Sequence, residues 1–129
     1  MISEDDILRH LPERFNSRAW TVQYARHLRT RFMLGVGNKL FRIAIAEGRI
    51  VSIERGPFLM NEWDFSLEAE EETWQKFWLA VPPPGFHDVM ALSKTKRLAI
   101  RGNIYPFMSN LLYFKALLSA VRGLGETTE

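Results

Sequence analysis

The chain contains no cysteine. Disulfide bonds, thiolate catalysis and cysteine-rich structural zinc sites are therefore excluded. A chain without such links has to be stabilised by its hydrophobic core, and 47% of its 129 residues are hydrophobic. We expect one globular domain over residues 1–129, large enough to bury roughly two-thirds of the surface of the unfolded chain.

Long apolar runs and a basic leader are also lacking. No uninterrupted apolar run reaches the roughly 18 residues that a membrane-spanning helix needs. The first residues, Met1-Ile2-Ser3-Glu4-Asp5-Asp6, are acidic, whereas a signal peptide begins with basic residues. We therefore expect a cytoplasmic protein.

Motifs of catalysis and metal binding are absent as well. His10, His27 and His87 do not have the spacing of a metal-binding helix, and there is no G-x-S-x-G nucleophile elbow. Gly35-Val36-Gly37-Asn38 lacks the third glycine of a dinucleotide loop, and we interpret it as a hairpin turn. We expect a protein that is not an enzyme and has no catalytic site, metal or cofactor.

The adjacent pair His87-Asp88 is the one acid/base candidate. Consecutive residues of a helix point about 100° apart, so these two side chains cannot support each other directly. We interpret Asp88 as a residue that stabilises the start of the helix after Pro84-Gly85, and His87 as half exposed.

The charges are nearly balanced, with a net charge of +2, but they are unevenly placed. We expect the two groups to pair on a solvated surface, and membrane contact to be at most transient. No RNA-recognition motif or helix-turn-helix pattern is present, which argues against a nucleic-acid partner. The basic group comprises Arg9, Arg14, Arg18, Arg26, Arg29 and Arg31, and the acidic group comprises Glu62, Asp64, Glu68, Glu70, Glu71 and Glu72.

The first third of the chain begins with a helix signal and continues with strand signals. Ser3 followed by three acidic residues predicts an N-capped short helix that ends between Pro12 and Asn16. Residues 18–28 fit either a helix or a strand, and we favour an irregular or helical lead-in. Period-two alternation then predicts strands at 30–36, 41–45, 50–54, 63–68 and 98–103, with hairpin turns at Gly37-Asn38 and Glu47-Gly48.

Three apolar segments between and after the later strands have helical spacing. The first begins at Glu70 and buries Trp74, Phe77, Trp78 and Val81 before a proline run breaks it, and the second covers Phe86–Ser93. The third, Ile104–Val121, is almost wholly apolar. The order predicts an α+β fold in which a five-stranded, mostly antiparallel sheet has helices packed on one face.

The last helical segment is too apolar for an ordinary surface helix. Lys115, Ser119 and Arg122 form one narrow polar stripe, and the remaining arc is wider than one face of a sheet can cover. Neighbouring helices, a second subunit or an apolar ligand can bury such an excess. Four Trp, nine Phe and five Met in a chain of this size favour a ligand pocket, although such a set also fits a plain core.

Asn110 lies on the apolar side of this segment, between Phe107, Phe114 and Leu117. An unpaired amide there would cost about 1–3 kcal/mol, so it needs a partner. Either it bonds to nearby backbone or caps a broken helix, or it meets the polar end of a bound lipid.

Several of these segments resemble the sterol carrier protein-2 domain, also called the non-specific lipid-transfer fold. The resemblance runs from about Phe32 to Leu118 and is strongest at Arg97–Asn103, which is similar to the family's basic-x-x-Ile-x-Gly-Asp strand, with Asn103 in place of Asp. Pro82–Asp88 looks like a feature of a bacterial subgroup. The other matching segments are Phe41–Ile45, Gly48–Ile50 and Trp63–Leu67 leading to the helix at Trp74.

The resemblance implies a sheet and helices that enclose a tunnel for fatty acyl, acyl-CoA or steroid-like ligands, without catalysis. The alternative is a homodimer or a module that binds a partner enzyme, with the cavity collapsed. From their faces on the predicted helices, we assign the ligand-binding side chains to Trp74, Phe77, Phe86, Met90, Phe107, Met108, Asn110, Leu111 and Phe114.

Overall fold

A five-stranded sheet forms the centre of the computed structural model, which describes residues 2–60 and 62–122. The strand order is β3-β2-β1-β4-β5. Hairpins join β1 to β2 and β2 to β3, so these pairs are antiparallel, as are β4 and β5, whereas β1 and β4 are parallel. The strands are β1 (Arg29–Val36), β2 (Lys39–Ala46), β3 (Arg49–Arg55), β4 (Phe65–Ala69) and β5 (Leu98–Gly102).

Helices cover one face of this sheet, and the predicted α+β fold class is therefore confirmed. A π-helical turn at Asp6–His10 continues into α1. No helix within the described ranges is both long and apolar enough to cross a bilayer. The helices are α1 (Leu11–Asn16), α2 (Ala19–Tyr24), α3 (Glu71–Phe77), α4 (Val89–Lys94), α5 (Tyr105–Ser109) and α6 (Leu111–Ala120).

The N-terminal helical segment starts and ends where its sequence predicts. The backbone N–H of Ser3 donates to the Asp6 carboxylate at 2.9 Å, and the Ser3 hydroxyl accepts from the Asp6 N–H at 3.2 Å. These reciprocal bonds satisfy donors that a helix start leaves free. At the other end, the Asn16 side chain exchanges two hydrogen bonds of 2.8 Å with the backbone of Ile50, which fixes α1 to β3.

Both predicted hairpin turns are present, and the second is a point of close approach. Gly48 has a φ of +78°, a conformation that side chains other than glycine rarely adopt. A Cβ atom at this position would lie 2.6 Å from the carbonyl oxygen of Val22. Glycine therefore allows the β2–β3 turn to contact α2.

The core lies between the sheet and the helices. Alternate residues of the central strands point inward, and Phe32, Phe41 and Phe65 are fully buried there. The indoles of α3 are buried with their donors satisfied: Trp74 Nε1 donates to the carbonyl of Gly35 at 2.8 Å, and Trp78 Nε1 to that of Leu118 at 3.1 Å. The helical layer is thus tied to both the sheet and α6.

Four predicted boundaries are wrong. The fourth strand starts at Phe65 instead of Trp63, and Ser66, expected on a wet face, is buried. α3 ends at Phe77, so Val81 is exposed instead of sharing the buried face. The following helix begins at Val89 instead of Phe86, and residues 82–88 form turns and irregular structure. The last helical segment is two helices, α5 and α6.

Candidate functional site

An aromatic layer fills the space between the sheet and the last two helices. Phe107 of α5 and Phe114 of α6 are fully buried, with ring centroids 5.6 Å apart. Both rings contact Phe65 of β4, at 5.6 and 5.4 Å, and Phe114 also contacts Phe32 of β1 at 5.5 Å. These four rings, Phe32, Phe65, Phe107 and Phe114, are called the aromatic layer below. They occupy the place where the sequence predicts a ligand.

Trp74 and Phe77 form a second aromatic group on α3. Their rings are 5.8 Å apart, and Trp74 stacks on Trp78 at 5.3 Å. Arg122 closes this group, because its guanidinium lies over the Phe77 ring and donates to the Phe77 carbonyl at 2.7 and 3.0 Å. Burial lowers the pKa of Arg122. The sequence placed Arg122 in a polar surface stripe, but it fastens the end of α6 to the end of α3.

The remaining predicted apolar residues are less buried. Phe86 is half-buried between the cations of Lys76 and Arg97, 5.3 and 4.9 Å from its ring centre, and lines a surface cleft of about 360 Å³. Met90 and Leu111 are partly buried against the core. Met108 is 45% exposed. The structure therefore joins Phe107 and Phe114 in one layer but does not bring Phe86 and Met108 to it.

Asn110 breaks the last helical segment. Its φ of −127° and ψ of 39° are not helical, and it separates α5 from α6. Its side-chain Nδ2 donates to the carbonyl of Pro106 at 3.1 Å, and its own carbonyl accepts from the N–H of Phe114. Of the two interpretations given above, the bond to nearby backbone at a broken helix is confirmed. Contact with the polar end of a ligand stays a prediction.

The break leaves α5 weakly attached. All five residues of α5 are described, and Phe107 is the one buried among them. Tyr105 is 75% exposed, Met108 45%, and Ile104 before the helix 42%. A single ring therefore holds α5 onto the aromatic layer.

A surface cleft of about 510 Å³ lies beside this break, between α2 and α5. The sequence does not indicate this cleft, because Tyr24 lies in the segment that fits either a helix or a strand, and Tyr105 lies in a segment whose pattern predicts one continuous helix. The basic group that includes Arg26 and Arg29 was the one available signal. This α2–α5 cleft is lined by Tyr24, Ala25, Arg26, His27, Leu28, Arg29, Tyr105, Pro106, Ser109 and Asn110.

The acid/base candidates lie apart from the aromatic layer. Asp88 stands at the N-cap position of α4, but its side chain makes no capping bond. Instead its carboxylate accepts from Lys115 Nζ of α6 at 3.2 Å. His87 is exposed. Within residues 2–60 and 62–122, no three His, Asp or Glu side chains are grouped as metal ligands.

Comparison with known proteins gives structural relatives. No family model matches the chain, and no curated protein does. The fold is similar to a crystal structure of sterol carrier protein 2, with a TM-score of 0.69 and 16% identity, covering 87% of this chain and 90% of that one. It is also similar to the conserved hypothetical protein TT1886 from Thermus thermophilus, described as possibly a sterol carrier protein, with a TM-score of 0.68, 14% identity and coverages of 96% and 89%.

A third relative is a palmitated protein. Palmitated SCP2L2 from Aedes aegypti matches with a TM-score of 0.58 and 13% identity, covering 90% of this chain and 95% of that one. Identities this low establish the architecture and leave the ligand open. The resemblance seen in the sequence therefore holds at the level of the fold, and the chain has the sterol carrier protein 2 fold.

Proposed function

We propose that this protein binds a single-chain apolar ligand, such as a fatty acyl chain, between α5, α6 and the inner face of the sheet, without catalysis. The observation that carries the proposal is that Phe107 is the one buried residue of α5, and its ring covers those of Phe65 and Phe114. When α5 moves away, the rings of Phe65 and Phe114 are uncovered. They present an apolar surface at the sheet.

The energies favour exchange of Phe107 for an acyl chain. Ten methylenes moved from water into an apolar site gain roughly 8 kcal/mol, at about 0.8 kcal/mol each, whereas uncovering one Phe side chain costs about 1.5–3 kcal/mol. The surplus has to cover the loss of translational freedom of the ligand. Before that loss is subtracted, the difference of about 5–6.5 kcal/mol corresponds to a dissociation constant of roughly 20–200 μM.

Two further observations support binding without chemistry. The Aedes aegypti relative, which has the same fold, is a palmitated protein. In this chain, Asp88 is paired with Lys115 and His87 lies exposed beside it, so the adjacent acid and base are not joined to each other or to the aromatic layer.

Calorimetric titration of delipidated protein with lauric acid tests the proposal. We expect saturable binding near one ligand per chain. Phe107→Ala removes the ring that the ligand displaces, and we expect this variant to bind at least as tightly as the parent. Phe41→Ala is the matched control, because Phe41 is equally buried but is not one of the rings of the aromatic layer. No saturation at micromolar protein, with folding verified by circular dichroism, would overturn the proposal.

A homodimer or a partner-binding module is the second candidate function. It is favoured by the exposed apolar side chains on the outside of the last two helices, where Met108 is 45% and Leu112 59% exposed. Light scattering separates the two functions. A dimer that takes up no lauric acid supports the partner-binding module, and a monomer that binds it supports the carrier.

A further inference from the structure

The α2–α5 cleft has the size and position of a site for a ligand head group. Its volume of about 510 Å³ falls within the usual range for small-molecule sites. Tyr24 stands on one side, on α2, and Tyr105 on the other, on α5. Pro106, next to Phe107 in the chain, and Asn110, three residues after it, line it as well. The segment that carries Phe107 therefore also forms one wall of the cleft, so a ligand that displaces Phe107 can extend its polar end toward it.

The charged residues that line the cleft, Arg26 and Arg29, are both basic, and Glu47 lies next to it as the partner of Arg29. Arg26, His27 and Arg29 line it, and no Asp or Glu is among its described lining residues. A cleft of this kind concentrates anions. Guanidinium groups also match phosphate oxygens, because their N–H donors lie in a planar fork.

Both guanidinium groups are available to a ligand. Arg26 Nη1 donates to the carbonyl of Gln23 at 3.3 Å, which leaves its other donors toward solvent. Arg29 lies 3.6 Å from Glu47, with the two side chains 73% and 74% exposed. Ion pairs this exposed contribute little, so Arg29 can exchange Glu47 for a more highly charged anion.

Hydroxyl groups complete the set of donors. Tyr24 and Tyr105 are 47% and 75% exposed, and Ser109 lies one turn from Tyr105. The Ser109 hydroxyl donates to the Tyr105 carbonyl. Among the described residues, the two phenol hydroxyls have no hydrogen-bond partner, so both can donate to a phosphate oxygen that the arginines hold.

We propose that the ligand is a single-chain lipid that carries a phosphate, and that the α2–α5 cleft binds this phosphate through Arg26 and Arg29. This inference rests on the proposed function, since it assigns the head group of the same ligand. It adds a selectivity for lipids that carry a phosphate, which the aromatic layer alone does not provide.

The test compares two lipids that differ in the phosphate alone. Lauroyl glycerol phosphate and monolaurin have the same acyl chain, and calorimetry below their micellar concentrations gives both affinities. We expect the parent protein to favour the phosphate lipid by about tenfold or more, which is the effect of one or two charge-assisted contacts. The preference should shrink as salt is raised.

Charge variants test whether Arg26 and Arg29 cause the preference for the phosphate lipid. Arg26→Gln with Arg29→Gln should remove the preference while leaving the affinity for monolaurin unchanged. Arg9→Gln with Arg14→Gln is the matched control, because it removes the same charge from exposed positions outside the cleft. We expect this control to keep the preference.

The outcomes separate the two proposals. If neither lipid binds, the proposed function fails. If both bind equally, or if the cleft variant keeps the preference, the lipid carrier stands and the phosphate site is overturned. Glycerol 3-phosphate forms the third arm, and binding of this soluble ester as tightly as the phosphate lipid would also overturn the site as part of a lipid site.

Discussion

Asn110 shows why the break in the last helical segment could not be predicted from the sequence. Asn110 was recognised from the sequence as an amide on an apolar side, and its bond to Pro106 now accounts for it. The break itself was not predictable, because the apolar pattern of 104–121 continues through Asn110 without interruption. Met108 faces solvent for the same reason, since the break turns α5 relative to α6 and changes the face that each residue presents.

Tyr113 is a buried residue whose hydroxyl has one specific partner. It donates to the carbonyl of Gly48 at 2.9 Å, and its ring is fully buried. Tyr113→Phe leaves that carbonyl without its bond, and we expect a loss of about 1–3 kcal/mol in the free energy of unfolding, measured by urea denaturation. Tyr105→Phe, at a position 75% exposed, should cost nothing measurable. Equal losses in both variants would contradict this assignment.

The Tyr113 hydroxyl also makes the free energy of unfolding depend on pH in the alkaline range. Burial raises the pKa of Tyr113 above its ordinary value of 10.0 in the folded protein. The unfolded chain therefore releases this proton at a lower pH than the folded protein does. The contribution of the buried, protonated Tyr113 to the free energy of unfolding is fully present below pH 10 and is lost as the pH rises above that value.

Urea titrations between pH 9 and 11 measure this effect. We expect the parent protein to lose more stability over that interval than Tyr113→Phe, which lacks the group. Parallel pH profiles for the two proteins would show that Tyr113 does not titrate differently on unfolding.

Gly48 allows a comparison of backbone strain with steric clash. Gly48→Ala places a Cβ atom 2.6 Å from the Val22 carbonyl oxygen, at a φ of +78°. Gly85 has a similar φ of +87°, but a Cβ atom there meets open space. Gly85→Ala should cost about 1 kcal/mol for the conformation alone, and Gly48→Ala clearly more, both measured by thermal unfolding. Equal costs would mean that α2 shifts freely away from the turn.

At the scale of elements, α5 and α6 differ in how they are held. α6 buries Tyr113, Phe114, Leu117, Leu118 and Ala120, whereas α5 buries Phe107 alone within its own residues. Local opening follows such differences in burial. We expect the amides of α5 to exchange hydrogen for deuterium much faster than those of α6, measured by mass spectrometry, and lauric acid to slow the exchange of α5. Equal protection of the two helices would contradict weak attachment.

The elements were predictable where a local signal exists. The hairpin turns, the alternating strands and the helix that begins at Glu71 follow from glycine positions and apolar periods. The start of α4 was placed too early because Phe86 packs against the core, as its sequence suggests, but does so from the segment before the first helical residue, Val89. In the structure, the Phe86 ring is held between Lys76 and Arg97, and such cation contacts leave no trace in an apolar pattern.

For the whole molecule, the strand order was beyond the reach of the sequence. A period of two tells which side chains share a face, but it does not tell which strands are neighbours. The parallel pairing of β1 with β4, from Phe32–Phe65 to Val36–Ala69, brings distant segments together and places Phe32 and Phe65 in one stack. The aromatic layer depends on this pairing. Phe107 and Phe114 were predicted from the sequence as site residues, whereas Phe32 and Phe65 were not.

The four tryptophans of this molecule stand in very different surroundings. Trp74 and Trp78 are enclosed, whereas Trp20 is 54% exposed and its ring meets Tyr24 at the mouth of the α2–α5 cleft. Enclosed indoles emit at short wavelengths and resist iodide, whereas an indole in water emits further to the red and is quenched. The red edge of the emission spectrum therefore belongs to Trp20, with a smaller share from the partly buried Trp63. Trp20 therefore serves as an intrinsic fluorescent probe of changes at the α2–α5 cleft, to which the buried indoles do not respond.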